Sequence, residues 1–139
     1  IVKGGRVMEH WEKWIPINGL PSKLYNDTLI DNKEGIILDF SDEKNKNKTV
    51  VNFEGGVLSY RNTDEGSLLK KLDYLEKQYG TDFYANWTFF KVKKSEYINW
   101  FLEESSGIYE SNQIEHYVFL TPNDVIEILT TYAPSITIN

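Results

Sequence analysis

Between Trp11 and Tyr60 the chain alternates short apolar runs with polar punctuation: WEKWIPI, KLYNDTLI, GIILDF, TVVNFEG and GVLSY are separated by Gly, Pro, Asn and Asp. Runs of this length, rich in β-branched and aromatic residues and bounded by turn formers, predict strands, and their close spacing predicts an antiparallel meander. The linker SDEKNKNK carries mixed charge and reads as a solvated hairpin loop, and Gly55-Gly56 as a bulge or tight turn. The period then changes. Leu68, Leu72, Leu75 and Tyr79 recur at helical spacing, which predicts a helix from Asp64 to Tyr79, capped by Thr63 or Asp64 and stopped by Gly80. NWTFFKVK predicts a strand. A second helix follows from Ser95 to Ser105, closed by Gly107, with Ile98, Phe101 and Leu102 inward and Glu96, Asn99 and Glu103 outward. IEHYVFL predicts another strand. In TPNDVIEIL, Thr121 as N-cap, Pro122 in the first turn and Asp124 in a capping box predict a third helix, and SITI a short last strand.

Strands first, then alternating helix and strand, is the order of an α+β domain. The expectation is an antiparallel sheet from an N-terminal meander plus two or three later strands, with about three helices packed on it. A length of 139 residues suits one domain, assigned to residues 8–139. Residues 1–7 precede the single methionine, Met8, and read as an expression remnant or flexible extension. A hydrophobic content of 40% argues for a packed chain rather than a disordered one. The absence of cysteine excludes disulfides, thiolate ligands and a cysteine nucleophile. No apolar run approaches the roughly 18 residues of a membrane span, and no leader pattern stands at the start, so a cytoplasmic location is expected.

Enzyme signatures are missing: no phosphate-binding glycine loop, no His-Glu-x-x-His and no Gly-x-Ser-x-Gly occurs. His10 and His116 are far apart, and neither has a neighbouring histidine to share a metal. His116, between Glu115 and Tyr117, is compatible with a general base, because histidine titrates near neutrality, and equally with a structural residue. The pairs Glu103-Glu104 and Asp42-Glu43 are adjacent and so diverge on any regular element. Trp11, Trp14, Trp87 and Trp100 could line a ligand platform, although Trp11 and Trp14, three apart on a strand, face opposite ways. Nucleic acid is disfavoured by a net charge of −6. No catalytic residue, metal ligand or cofactor is assigned. The alternative function from these residues is a small-molecule-binding domain or minor enzyme with an aromatic cleft and His116.

Charge segregation changes the picture most. From Ser95 to Asn139 there are seven acidic residues and no lysine or arginine, so this third carries −7 while the remainder carries +1. Acids without a nearby cation belong at the surface. An acidic surface steers association with a basic protein, and aromatic anchors add affinity. The expected partner-binding residues are Glu96, Asn99, Glu103, Glu104, Tyr109, Glu110 and Glu115, with Tyr117 a further candidate anchor.

Through SEYINWFLEESSGI and IEHYVFLTPNDVIEIL the chain resembles small acidic immunity proteins of Bacillus-type polymorphic or contact-dependent toxin systems. The likeness runs from about Trp11 to the C-terminus. It implies a non-catalytic protein that binds and neutralises a cognate toxin, by covering its active site or blocking its substrate. Such a partner is expected to be basic and nuclease-like, with no direct contact to nucleic acid or membrane.

Overall fold

Alternation along one strand decides the architecture. In GIILDFS, Ile36, Leu38 and Phe40 are buried while Ile37 and Asp39 are half-buried on the other face, so this strand presents one apolar side that another layer must cover. The computed structural model of the protein describes residues 2–3, 6–44 and 47–139, without the side chains of residues 2–3 and 6–7. Its strands are β1 (Val2–Lys3), β2 (Arg6–Val7), β3 (His10–Lys13), β4 (Tyr25–Asn32), β5 (Gly35–Ser41), β6 (Lys48–Phe53), β7 (Val57–Asp64), β8 (Phe89–Lys93), β9 (Glu115–Leu120), β10 (Asp124–Thr130) and β11 (Ser135–Ile138). The helices are α1 (Leu69–Tyr79) and α2 (Glu96–Glu104), with 3-10 turns at Glu65–Ser67 and Ser111–Gln113.

β4, β5 and β6 form the expected meander, but it does not continue into one sheet. The strands divide into a four-stranded sheet in the order β11-β6-β5-β4 and a five-stranded sheet in the order β3-β8-β9-β10-β7, both antiparallel. The division has a physical cause. Ile36, Leu38, Phe40, Val51 and Phe53 of the smaller sheet need an apolar face opposite, and Phe89, Tyr117, Phe119, Ile126 and Ile128 of the larger sheet supply it. The other face of the larger sheet carries Phe90, Val92, Val118, Leu120 and Val125 under Leu72 and Leu75 of α1, and Leu129 under Tyr97 and Ile98 of α2. Three layers result: sheet, sheet and helices.

The third helix is absent, and TPNDVIEIL is instead a turn and a strand. Thr121 Oγ1 accepts from the amides of Asn123 and Asp124 at 3.2 and 2.8 Å, and β10 then pairs with β9 and β7. A central strand covered on both faces loses polar alternation, so Val125, Ile126, Ile128 and Leu129 mimic an amphipathic helix. The start of α1 also moves. Thr63 and Asp64 end β7, the chain makes its 3-10 turn, and Leu68 takes the N-cap position without a side-chain cap. Gly80, at φ +100°, does stop α1. Gly56 sits in the turn before β7 at φ +73°, where an added Cβ would meet Tyr132 and Thr131 at 2.5 and 2.6 Å. Of the leading heptapeptide, Val2–Lys3 and Arg6–Val7 pair as a hairpin, and the rest of what was expected of it lies outside the described residues, as does part of the SDEKNKNK loop.

Candidate functional site

α2 is built by capping at its start and burial on one side. Ser95 Oγ accepts from the Ile98 amide at 3.0 Å, and Glu9 Oε2 accepts from the Glu96 amide at 2.8 Å, so two groups occupy donors that the first turn leaves open. Tyr97 and Ile98 pack with Ile114 and Leu129, joined by Phe101 and Leu102. What remains outward is Glu96, Asn99, Trp100, Glu103 and Glu104, all exposed. Trp100 is 50% exposed in the middle of the carboxylates. Past the helix the chain turns through Ser106 and Gly107, both at positive φ, and leaves Ile108 75% exposed. Tyr109 then folds back against Phe101, ring centroids 5.8 Å apart, while Glu110 stays exposed and forms a capping box with Gln113.

Six of the expected partner-binding residues therefore fall on α2 and the loop that follows it. Among the described residues no lysine or arginine makes an ion pair with Glu103, Glu104 or Glu110. Glu115 is diverted to β9, where its carboxylate lies 3.6 Å from Lys93 Nζ. Tyr117 is no surface anchor, because it is 1% exposed between the sheets. Trp100 and Ile108 are the apolar members of this face that the acidic pattern missed. Trp100 was legible in its spacing, four residues after Glu96 and three before Glu103.

One acid of the segment is not at the surface at all. Glu127, in the interior of β10, is gripped by Arg61 of β7, Nε to Oε2 at 2.7 Å and Nη2 to Oε1 at 3.1 Å. His116 Nε2 lies 3.0 Å from the same Oε1, and His116 Nδ1 lies 2.7 Å from Ser95 Oγ. Every partner is satisfied if the ring carries its proton on Nε2 and the Ser95 hydroxyl donates to Nδ1. Arg61 also lies 4.0 Å from the centre of the Tyr97 ring, whose hydroxyl is 2.5 Å from Ser59 Oγ. Burial alone would raise the Glu127 pKa, but the hydrogen bonds and charges of His116 and Arg61 outweigh it and hold the carboxyl at about 2.

The order serine, histidine, carboxylate resembles a nucleophilic triad in composition only. Ser95 and His116 are 3% and 1% exposed, and the serine oxygen is already engaged as the helix cap, so no substrate atom reaches it. The network locks α2 to the sheet. A second anchor is Glu9, which accepts from Lys71 Nζ at 2.7 Å and Trp11 Nε1 at 3.3 Å as well as from α2. Burial opposes its ionisation, yet Lys71 and these donors hold its pKa below the ordinary value. Elsewhere Lys23 ties the segment before β4 to the loop before β8 and the end of β9, donating to the carbonyls of Tyr84, Trp87 and Leu120 at 2.6, 3.1 and 2.7 Å.

The tryptophans do not share a cleft. Trp11 packs on the helix side of the larger sheet, Trp14 between the sheets with its ring 4.8 Å from Tyr117, and Trp87 donates to the Trp14 carbonyl at 3.1 Å. Two clefts of the described structure are lined by residues 31–36 with 54–60, and by Asn32, Glu34, Gly35, Ile37, Asn52 and Glu54, and His116 lines neither. Among the described residues no group of three or more His, Asp or Glu is placed to hold a metal, and no helix is long and apolar enough to cross a membrane. Comparison with protein-family models, with curated proteins and with solved structures gave no match.

Proposed function

We propose that this chain is a non-catalytic immunity-type protein that neutralises a basic, nuclease-like toxin domain through the outer face of α2 and the loop after it. The observation that carries the proposal is Trp100, half exposed and set among Glu96, Glu103 and Glu104. An aromatic anchor inside a ring of carboxylates suits a surface rich in lysine and arginine, since the ring stacks with a cationic side chain while the acids steer the approach. Ile108, Tyr109 and Glu110 extend the same surface. The Ser95, His116, Glu127 and Arg61 network supports a binding role from below, because it fixes the helix that presents the face. An aromatic cleft working with His116 draws no comparable support, since the histidine is sealed inside.

The test is capture from host lysate and culture fluid at graded salt, with wild-type protein and a Glu103→Lys/Glu104→Lys variant as baits. A single basic protein that leaves wild type as salt rises, binds the variant poorly, is toxic when expressed alone and is tolerated with this chain present is the expected result. A bait that captures nothing under toxin-producing conditions, or that binds equally well after the charge reversal at low salt, would sink the proposal.

A further inference from the structure

The two large sheets have four edges, and an open edge pairs with other chains unless something blocks it. Three are blocked. β3 is four residues long and runs into Ile15-Pro16, and β11 is four residues long and follows Pro134. β4 is interrupted between Asn26 and Thr28 and carries Asp27 and Asp31. β7 differs. It has eight residues, no proline, and a register shift confined to its first turn of pairing, where Val57 meets Thr130.

The phase of the ladder tells which groups it offers. Glu65 N–H donates to the Asn123 carbonyl, so by antiparallel alternation the main-chain groups of Thr63, Arg61 and Ser59 point to β10, and those of Tyr60 and Asn62 point away from the sheet. Beside this edge, between β7 and the β4–β5 turn, lies a cleft of about 540 Å³. Asp31, Glu34 and Glu54 are exposed along it against the single cation Lys33. Partial burial and the adjacent Asp31 carboxylate raise the Tyr60 pKa.

We propose that β7 receives an extended segment of a protein partner as a sixth strand of the five-stranded sheet, with basic side chains at every second position over the acidic cleft. Main-chain bonds to Tyr60 and Asn62 would supply the pairing, and Asp31, Glu34 and Glu54 the preference for lysine or arginine. A second copy of this chain is the poorer occupant, because it would bring the same acidic wall against itself. This surface stands independently of the α2 face.

The probe is a synthetic decapeptide alternating lysine with valine and threonine, compared with its glutamate counterpart, and the readout is amide hydrogen exchange in the whole chain. The lysine peptide is expected to slow exchange at Tyr60 and Asn62 saturably, and the glutamate peptide to leave it unchanged. Asn62→Pro removes an outward N–H without breaking the ladder, so this variant is expected to fold and to bind about tenfold more weakly. Glu34→Lys/Glu54→Lys decides the matter if Asn62→Pro does not fold, and is expected to weaken binding to the same extent. No slowing at millimolar lysine peptide, equal response to both peptides, full binding by a folded Asn62→Pro, or protection that grows with protein concentration alone would each overturn the proposal.

Discussion

Arg61 and Glu127 face each other across neighbouring strands as a two-point ion pair, with the arginine side chain half exposed and the carboxylate 7% exposed. The asymmetry sets the energetics. Arg61 keeps part of its hydration, while Glu127 depends on Arg61 and His116 for its charge.

Arg61→Ala is therefore expected to cost about 3 kcal/mol of folding stability, the low end for stranding a buried charge, because His116 remains as a partner. Urea unfolding of the single and double variants at Arg61 and Glu127 would measure it, and a coupling energy indistinguishable from zero would refute the assignment.

Acid should probe the same carboxylate. Its folded pKa of about 2 lies below the ordinary value of 4.5, so the stabilisation is complete above pH 4.5 and is lost as the pH falls toward 2. The shift corresponds to about 3 kcal/mol. Stability measured from pH 6 to pH 2 should fall less steeply in Glu127→Gln than in wild type, and parallel curves would contradict this.

Ser95→Ala removes a helix cap and the hydrogen-bond partner of His116 together. A loss of about 2 kcal/mol is expected, with faster amide exchange at Ile98 as the local signature. A global loss without that local change would mean that the cap contributes little.

Trp100→Ala should leave stability within about 0.5 kcal/mol of wild type, since the ring is outside the core. Against the basic partner proposed above it should raise the dissociation rate, whereas Glu103→Lys should mainly lower the association rate, more so at low salt. Unaltered kinetics in both would remove α2 from the interface.

Local pattern carried much of the fold. Leu72 and Leu75 lie on the buried side of α1, α2 begins beside Ser95, and SITI is a strand, because each depends on neighbours within a few residues. The misread segments depend on distance instead. Glu127 inside VIEIL signals only that a buried partner must exist, and that partner, Arg61, is 66 positions away. The division into two sheets was hidden for the same reason: a strand's pattern reports that one face is covered, not which layer covers it. The acidic face was legible in charge and blurred in detail, since Glu115 met Lys93 and Tyr117 went inside.

The order of the strands along the chain has its own consequence during synthesis. β4, β5 and β6 emerge together and can zip locally, but their inner side, Ile36, Leu38, Phe40, Val51 and Phe53, is covered by Phe89, Tyr117, Phe119, Ile126 and Ile128, which are made later. Until the ribosome has delivered β10, the nascent chain holds the three-stranded meander, still without β11, with its greasy side to water. That interval, more than any weakness of the completed protein, is where a chaperone would find something to hold.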